Sequence, residues 1–169
     1  MSANPKAVTS GLAAELLRPM TLGALDGVVA LEAEIYPFPW TRGNFVDSLA
    51  AGYIAWTLNG SGGELIAYCV AMRGAGEMHL LNITVAPVAR RRGHARRLLG
   101  ELLALCREER VERLWLEVRE ANLDAQATYR RLGFAQVGVR KDYYPAELGS
   151  EDARVLALTL DGEAASPSP

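Results

Sequence analysis

Hydrophobic and polar positions alternate along this chain in two rhythms, and the switches between them outline a fold. Over residues 94–106 the apolar side chains fall at Ala95, Leu98, Leu99, Leu102, Leu103, Leu105 and Cys106. Spacings of three and four put them on one stripe, which predicts an amphipathic helix over 93–108. Residues 112–118 change rhythm: Leu114, Leu116 and Val118 alternate with Arg113, Trp115 and Glu117. A period of two is a strand with one apolar face. The apolar run 78–85, closed by Ala86-Pro87, reads as a strand before the helix. A strand–helix–strand unit of this length implies a parallel pair with a right-handed crossover.

The same pattern carries to both ends. Residues 16–21 read as a strand, and Thr21 as the N-cap of a helix over 22–35 built on Leu22, Leu25, Val28, Val29, Leu31 and Ile35. Tyr36-Pro37-Phe38-Pro39-Trp40 stops that helix, because its prolines lack an N–H and push the preceding residues out of the helical region. Thr41 then caps a short helix reaching about Ala50. Strands over 53–58 and 65–72 flank Asn59-Gly60-Ser61-Gly62-Gly63, and with 78–85 they form an antiparallel meander. Asn122 caps a helix over 123–132 that ends at Gly133. A strand over 134–139, a loop over 140–145 and a last strand over 153–160 follow. The fold class is α+β: about seven strands in a mixed, mostly antiparallel sheet, with about four helices. One domain over 16–160 is expected, between a flexible lead over 1–15 and a disordered Ser/Pro/Ala-rich tail over 161–169.

Composition sharpens this in a few places. Half of the 169 residues are hydrophobic, enough for a full core in one domain. A net charge of −2 argues against bulk affinity for nucleic acid. Cys69 and Cys106, each within an apolar segment, read as buried free thiols of a reducing compartment, which points to the cytoplasm. No apolar stretch reaches the roughly 18 residues of a membrane helix, so no membrane partner is expected. Residues 1–15 lack the basic and then apolar pattern of a secretory signal.

Charge gathers in one place, Arg90-Arg91-Arg92-Gly93-His94-Ala95-Arg96-Arg97, at the mouth of the first helix described above. A helix N-terminus offers unpaired N–H groups and partial positive charge, so arginines there cost a little unless an anion sits among them. Gly93 lacks a Cβ and lets backbone come close to a ligand. The pattern points to a phosphate or pyrophosphate, with a solvated charged face as the alternative. It is neither a Walker loop nor a G-x-G-x-x-G turn. Glu117 is a carboxylate in an otherwise largely apolar strand, so it is either paired, with Arg113 or Arg119, or has a chemical task. Tyr129, on a helix, would ordinarily be core. Phe38 and Trp40 are either the wall of a pocket or the cover of the core. His79 and His94 stand alone, without metal-ligand spacing, and no metal site is expected.

These residues resemble a known family. Arg90-x-x-Gly93-x-Ala95 is similar to the Gln/Arg-x-x-Gly-x-Gly/Ala acetyl-CoA loop of the GNAT superfamily of N-acetyltransferases, and the resemblance extends from about residue 16 to 160. Four further motifs resemble its bacterial ribosomal-protein alanine N-acetyltransferases, the RimI type. They are Phe38-Pro39-Trp40; Asn82-Ile83-x-Val85; Leu114-Trp115-Leu116-Glu117-Val118-Arg119-x-x-Asn122; and Tyr143-Tyr144-Pro145. Tyr129-x-x-Leu132-Gly133-Phe134 accompanies the third. Many members carry Gln and Gly where this chain has Arg90 and Ala95, both within the pattern.

The resemblance implies a GNAT fold whose central strands, 78–85 and 112–118, splay apart. It implies acetyl-CoA as co-substrate, held by Arg91, Arg92, Gly93, His94, Ala95 and Arg96 at the pyrophosphate, by the backbone of Ile83, Thr84 and Val85, and by Asn122. Glu117 would be the general base and Tyr129 the general acid, with direct transfer and no acyl-enzyme. Phe38, Trp40, Tyr143 and Tyr144 would line a groove for the N-terminal alanine of a small-subunit ribosomal protein. A monomer is favoured, with no direct nucleic-acid contact. Related acetyltransferases of other N-termini, lysines or small amines, and a non-catalytic CoA-binding module, remain as alternatives.

Overall fold

The computed structural model describes residues 15–160. The expected tail, and all of the expected lead except Glu15, lie outside the described residues. The elements in chain order are β1 (Leu16–Pro19), α1 (Leu25–Ile35), α2 (Arg42–Ala50), β2 (Ile54–Asn59), β3 (Leu65–Arg73), β4 (Glu77–Val85), α3 (His94–Glu108), β5 (Arg113–Arg119), α4 (Leu123–Arg131), β6 (Ala135–Ala146) and β7 (Gly149–Thr159). The seven strands form one sheet in the order β1-β2-β3-β4-β5-β7-β6. The chain divides into two compact units, one running to Met72 and including Leu81–Leu102, the other made of Arg73–Leu80 and the chain from Leu103 onward.

In the first unit β1, β2 and β3 are antiparallel neighbours, with Leu17 opposite Leu58 and Trp56 opposite Cys69. β2 and β3 are buried along nearly their whole length, which is why both read as apolar runs instead of alternating. A core of Leu25, Val28, Phe45, Tyr68 and Val70 joins α1 and α2 to these strands. The Phe45 ring meets Trp40 at 5.2 Å and Tyr68 edge-on at 5.9 Å. Thr41 caps α2 as the sequence predicts, and Asn44 completes the reciprocal pair by accepting from the Thr41 N–H. Thr21 is different. A 3-10 turn, Leu22–Ala24, precedes α1, whose cap residue is Ala24, and the Thr21 side chain makes no cap bond. Leu22, assigned to the buried stripe from the pattern, is 62% exposed on that turn.

In the second unit, the Glu77–Leu80 half of β4 runs parallel to β5, from Glu77 opposite Arg113 to Leu80 opposite Leu116. β5 is flanked by antiparallel β7, with Glu117 opposite Val155. Its burial alternates as its sequence does: Leu114, Leu116 and Val118 are fully buried, while Trp115 and Glu117 between them are intermediate as whole residues. Gly133 sits just past α4 at φ +98°, a left-handed closing residue.

One expectation fails here. Residues 140–145 form no loop: β6 continues to Ala146 and returns to β7 through a tight turn, with Ala146 opposite Gly149 and Gly149 at φ +87°. Arg140-Lys141-Asp142 looks like a loop because it lies on an exposed edge strand, where polar side chains cost nothing. Its irregularity is local. Asp142 takes φ +51° and donates its N–H to Asp152 Oδ1 at 2.9 Å, while Lys141 Nζ reaches the other oxygen at 2.8 Å.

Candidate active site

The arginine-rich loop of the first unit follows β4 through a 3-10 turn, Pro87–Ala89. Arg91 takes φ +61° and Gly93 φ +82°, so the chain folds back on itself before α3 begins. A Cβ built on Gly93 would meet nothing within 4 Å. The glycine is therefore required by backbone conformation and not by crowding. Arg97 turns away from this loop: its guanidinium pairs with Glu15 at 2.9 Å and also donates to the Glu15 carbonyl. His94 is buried with Nδ1 3.5 Å from the same carboxylate, so its side chain supports the loop from within. Arg90, Arg91, Arg92 and Arg96 are exposed and, among the described residues, have no carboxylate partner. Uncompensated cations, a left-handed glycine and a helix start make a loop that fits a diphosphate.

Beneath β4 lies a network the sequence reading missed. Glu32 on α1 is 2% exposed. Its Oε1 accepts from the Trp40 backbone N–H at 3.0 Å. Its Oε2 accepts from the Tyr68 hydroxyl and from Asn82 Nδ2 at 3.2 Å. Asn82 Oδ1 in turn accepts from Thr84 Oγ1 at 2.9 Å, which lies 2.8 Å from the Tyr36 hydroxyl. One carboxylate thus ties Phe38-Pro39-Trp40 to Asn82-Ile83-Thr84-Val85. Burial, and then donation to Glu32, push the Tyr68 phenol far above its ordinary range; burial pushes Tyr36 up as well. The available signal was position: Glu32 falls at the helical spacing of Leu25 and Val28, on the buried stripe. Thr84 is buried with its hydroxyl turned into this network, so only its backbone can face a ligand. Trp40 fills both roles the sequence left open, packing on Phe45 and lining a surface cavity of about 480 Å³ with Asp47, Tyr53 and Leu81. Phe38 is 46% exposed and covers no core.

In the second unit Glu117 points from β5 with its side chain 6% exposed. The arginines suggested as its partners are occupied elsewhere: Arg113 lies 3.8 Å from Glu77, and Arg119 pairs with Glu151 at 3.0 Å. The partners are instead Arg140 on β6, with Nε 3.2 Å from Oε1, and His79 on β4, whose Nε2 lies 2.5 Å from Oε2. His79 was read as isolated. The parallel register sets it opposite Trp115, and the two rings stack at 3.6 Å and 11°. Nothing local in the sequence announces a contact across 38 residues.

Around this carboxylate stand the β6 aromatics. The Arg140 guanidinium lies 5.4 Å from the Tyr143 ring centre, and Arg119 lies 4.5 Å over Tyr144. Tyr143 and Tyr144 meet edge-on at 4.9 Å. Both phenols are raised above their ordinary range, first by burial and then by the negative charge of Glu117, so both stay protonated. On α4, Asn122 accepts the Ala125 N–H as the cap residue, which leaves its amide nitrogen for other work. Tyr129 is buried and packs edge-on against Phe134 at 5.5 Å. Cys69 and Cys106 are free and buried, as expected. Among the described residues, no helix is long and apolar enough to cross a membrane.

Comparison with known proteins gives these sites a context. Residues 25–134 match the acetyltransferase (GNAT) family. The chain is 35% identical over 136 residues to the [ribosomal protein bS18]-alanine N-acetyltransferase of Escherichia coli K12, covering 80% of this chain and 91% of that protein. It is 31% identical to a putative [ribosomal protein bS18]-alanine N-acetyltransferase of Bacillus subtilis, covering 86% of this chain and 95% of that one. The crystal structure of the Escherichia coli ribosomal-protein-S18-alanine N-acetyltransferase superposes with a TM-score of 0.80 at 32% identity, covering 88% of this chain and 97% of the other.

Proposed function

The chain belongs to the acetyltransferase (GNAT) family, and from that premise we propose that it acetylates the α-amine of an N-terminal alanine on a small-subunit ribosomal protein, in the cytoplasm, with acetyl-CoA as donor. The observation that carries the reading is Glu117, a carboxylate nearly closed off from solvent, oriented by two partners and surrounded by aromatic side chains. Acetyl-CoA supplies an acetyl group already activated as a thioester. Arg91, Arg92, Gly93, His94, Ala95 and Arg96 would hold its pyrophosphate, with Ile83, Thr84 and Val85 and the free amide of Asn122 along the rest of the molecule.

The chemistry asked of this chain is modest. Only a neutral amine attacks. An α-amine of pKa about 7.7–8.0 is roughly a fifth to a third neutral near pH 7.4, whereas a lysine at about 10.4 is neutral about once in a thousand. An N-terminus therefore needs its proton accepted, the role given to Glu117, directly or through a water. Tyr129 would donate a hydrogen bond to the departing sulfur. Full proton transfer from an ordinary phenol to an ordinary thiolate is uphill by roughly 2 kcal/mol, so hydrogen bonding is most of the effect. Phe38, Trp40, Tyr143 and Tyr144 would flank the peptide.

The test is mass spectrometry of a peptide beginning with alanine after incubation with the chain and acetyl-CoA. A gain of one acetyl group on the α-amine is expected. An unmodified N-terminus beside an acetylated lysine or small amine would overturn the substrate assignment.

A further inference from the structure

Glu117 is held at both oxygens, and the two holders differ in a way that matters for a base. Arg140 is a permanent cation. His79 is a group that donates a hydrogen bond while neutral. A carboxylate offers about four lone pairs. The hydrogen bond with His79 uses one of them, on Oε2, and the Arg140 guanidinium stands 3.2 Å from Oε1 as an ion pair, so both oxygens keep acceptor capacity. A nearby cation lowers the proton affinity of a carboxyl by roughly 1–3 pK units, a factor of about 10 or more per cation. Two cations would orient Glu117 well and leave it a poor base. One cation and one neutral donor orient it equally well at half that cost.

We propose that His79 is the positioning residue of Glu117: its ring, fixed face to face on Trp115, donates Nε2–H to Oε2 and aims the free lone pairs without adding a charge. This rests on Glu117 being the base. The proton step it serves is a plain exchange, in which the substrate ammonium gives one proton to the Glu117 carboxylate and becomes the neutral amine. The bond from His79 survives that exchange, because the carbonyl oxygen of the protonated acid still accepts. The geometry is over-determined. Trp115 and Glu117 lie two residues apart on one face of β5, so the residue opposite Trp115 on β4 is the one that can stack on the ring and reach the carboxylate. The other charged or titratable groups near Glu117 in this unit are Arg140, Arg119, Tyr143 and Tyr144, and neither phenol is within its ionising range near neutral pH.

A series at position 79 separates this role from mere packing. His79→Phe keeps a ring for Trp115 and removes the donor. His79→Gln keeps a neutral donor. His79→Lys keeps a donor and adds a cation. The expected order of kcat is wild type, then Gln, then Phe and Lys, with Phe and Lys down by about 10- to 100-fold, a fraction of what a general base contributes. Gln should recover most of the loss seen with Phe, while KM for acetyl-CoA stays within about twofold throughout. A role in packing alone would make Phe the mildest change and would not separate Gln from Lys. A second readout needs neither turnover nor acetyl-CoA. The His79 Nε2 proton should give a strongly downfield NMR resonance, and Glu117→Gln should abolish it while the signal of His94, the other histidine, stays. Absence of that resonance, or His79→Phe at wild-type kcat beside a slow Glu117→Gln, overturns the proposal for His79 alone. Glu117→Gln at wild-type kcat overturns the base assignment and the proposal with it.

Discussion

Glu32→Gln is the substitution that probes the first unit most sharply, because it changes one atom and cannot be absorbed. The carboxylate accepts from three donors: the Trp40 N–H on Oε1, and the Tyr68 hydroxyl and Asn82 Nδ2 on Oε2. Glutamine brings one oxygen and one NH2. With its oxygen at the Oε1 position, Trp40 is satisfied and Tyr68 can turn to accept, but Asn82 Nδ2 meets another donor. Asn82 cannot flip without cost, since its Oδ1 already accepts from Thr84. With the oxygen at the Oε2 position, the Trp40 N–H is stranded instead. Either way one buried donor loses its acceptor, at about 1–3 kcal/mol. With a urea m-value of about 1–3 kcal/mol/M, the unfolding midpoint should fall by about 1 M. Glu32→Ala strands all three donors and opens a void, and should cost more than about 3 kcal/mol. Urea titration followed by circular dichroism measures both. Tyr68→Phe combined with Glu32→Gln should destabilise less than the sum of the single changes, because the hydroxyl acts through that carboxylate. A Glu32→Gln midpoint equal to wild type, or strict additivity with Tyr68→Phe, would refute the reasoning.

Other expectations follow from the same structure. Gly93→Ala finds room for its methyl group but must hold φ +82°; a strain of about 1–2 kcal/mol should weaken acetyl-CoA binding by roughly 5- to 30-fold in calorimetry while leaving the rest of the fold intact. The thiols of Cys69 and Cys106 are pushed up to about 12 and about 11, chiefly by burial, so neither should react with Ellman's reagent at pH 8 until denaturant is added, when both should. Glu109 is held below the usual carboxylate range first by the hydrogen bonds from Arg73. A folded pKa below the unfolded one gives stability that is present above about pH 4.3 and lost as pH falls through the lowered value. Both partners are about a third exposed, so the contribution is at most about 1 kcal/mol. Glu109→Gln should lower stability at pH 7 by that much, and acid titration of both proteins should show the difference vanish at low pH.

Elements with one buried and one wet face were read from the sequence alone, apart from the start of α1, where Thr21 is no cap and Leu22 is exposed. β5 and α3 were legible for that reason, and so was the Thr41 cap, whose signal is local. The gathering of charge at the start of α3 was legible because it is one continuous run in the sequence. Three things were not legible, and each depends on partners distant in sequence. The run 140–145 is polar because its strand lies at an edge, and only its pairing with β7 shows that it is a strand. Glu32 looks like one more helical carboxylate until Trp40, Tyr68 and Asn82 converge on it. His79 gains its meaning from a register with β5 that no spacing within β4 encodes.

Glu32 and Glu117 pose the same energetic problem, a carboxylate removed from water in a small protein, and the donors around each decide what it can do. A buried charge without partners costs several kcal/mol, so both must be paired. Glu32 receives three donors, from an N–H, a hydroxyl and an amide, with 2% of the residue exposed. Three of about four lone pairs are engaged by fixed groups of the fold, and such a carboxylate holds its neighbours in place. Glu117 accepts one hydrogen bond, from a histidine that brings no fixed charge, stands beside the Arg140 cation, and keeps acceptor capacity on both oxygens. A carboxylate with acceptor capacity to spare can take one more donor. An ammonium substrate is such a donor. The asymmetry between the two carboxylates fits the base role proposed for Glu117. Placing a fixed donor beside it, as in Val155→Lys on the facing strand β7, should stop acetylation of the alanine peptide while circular dichroism shows the fold retained.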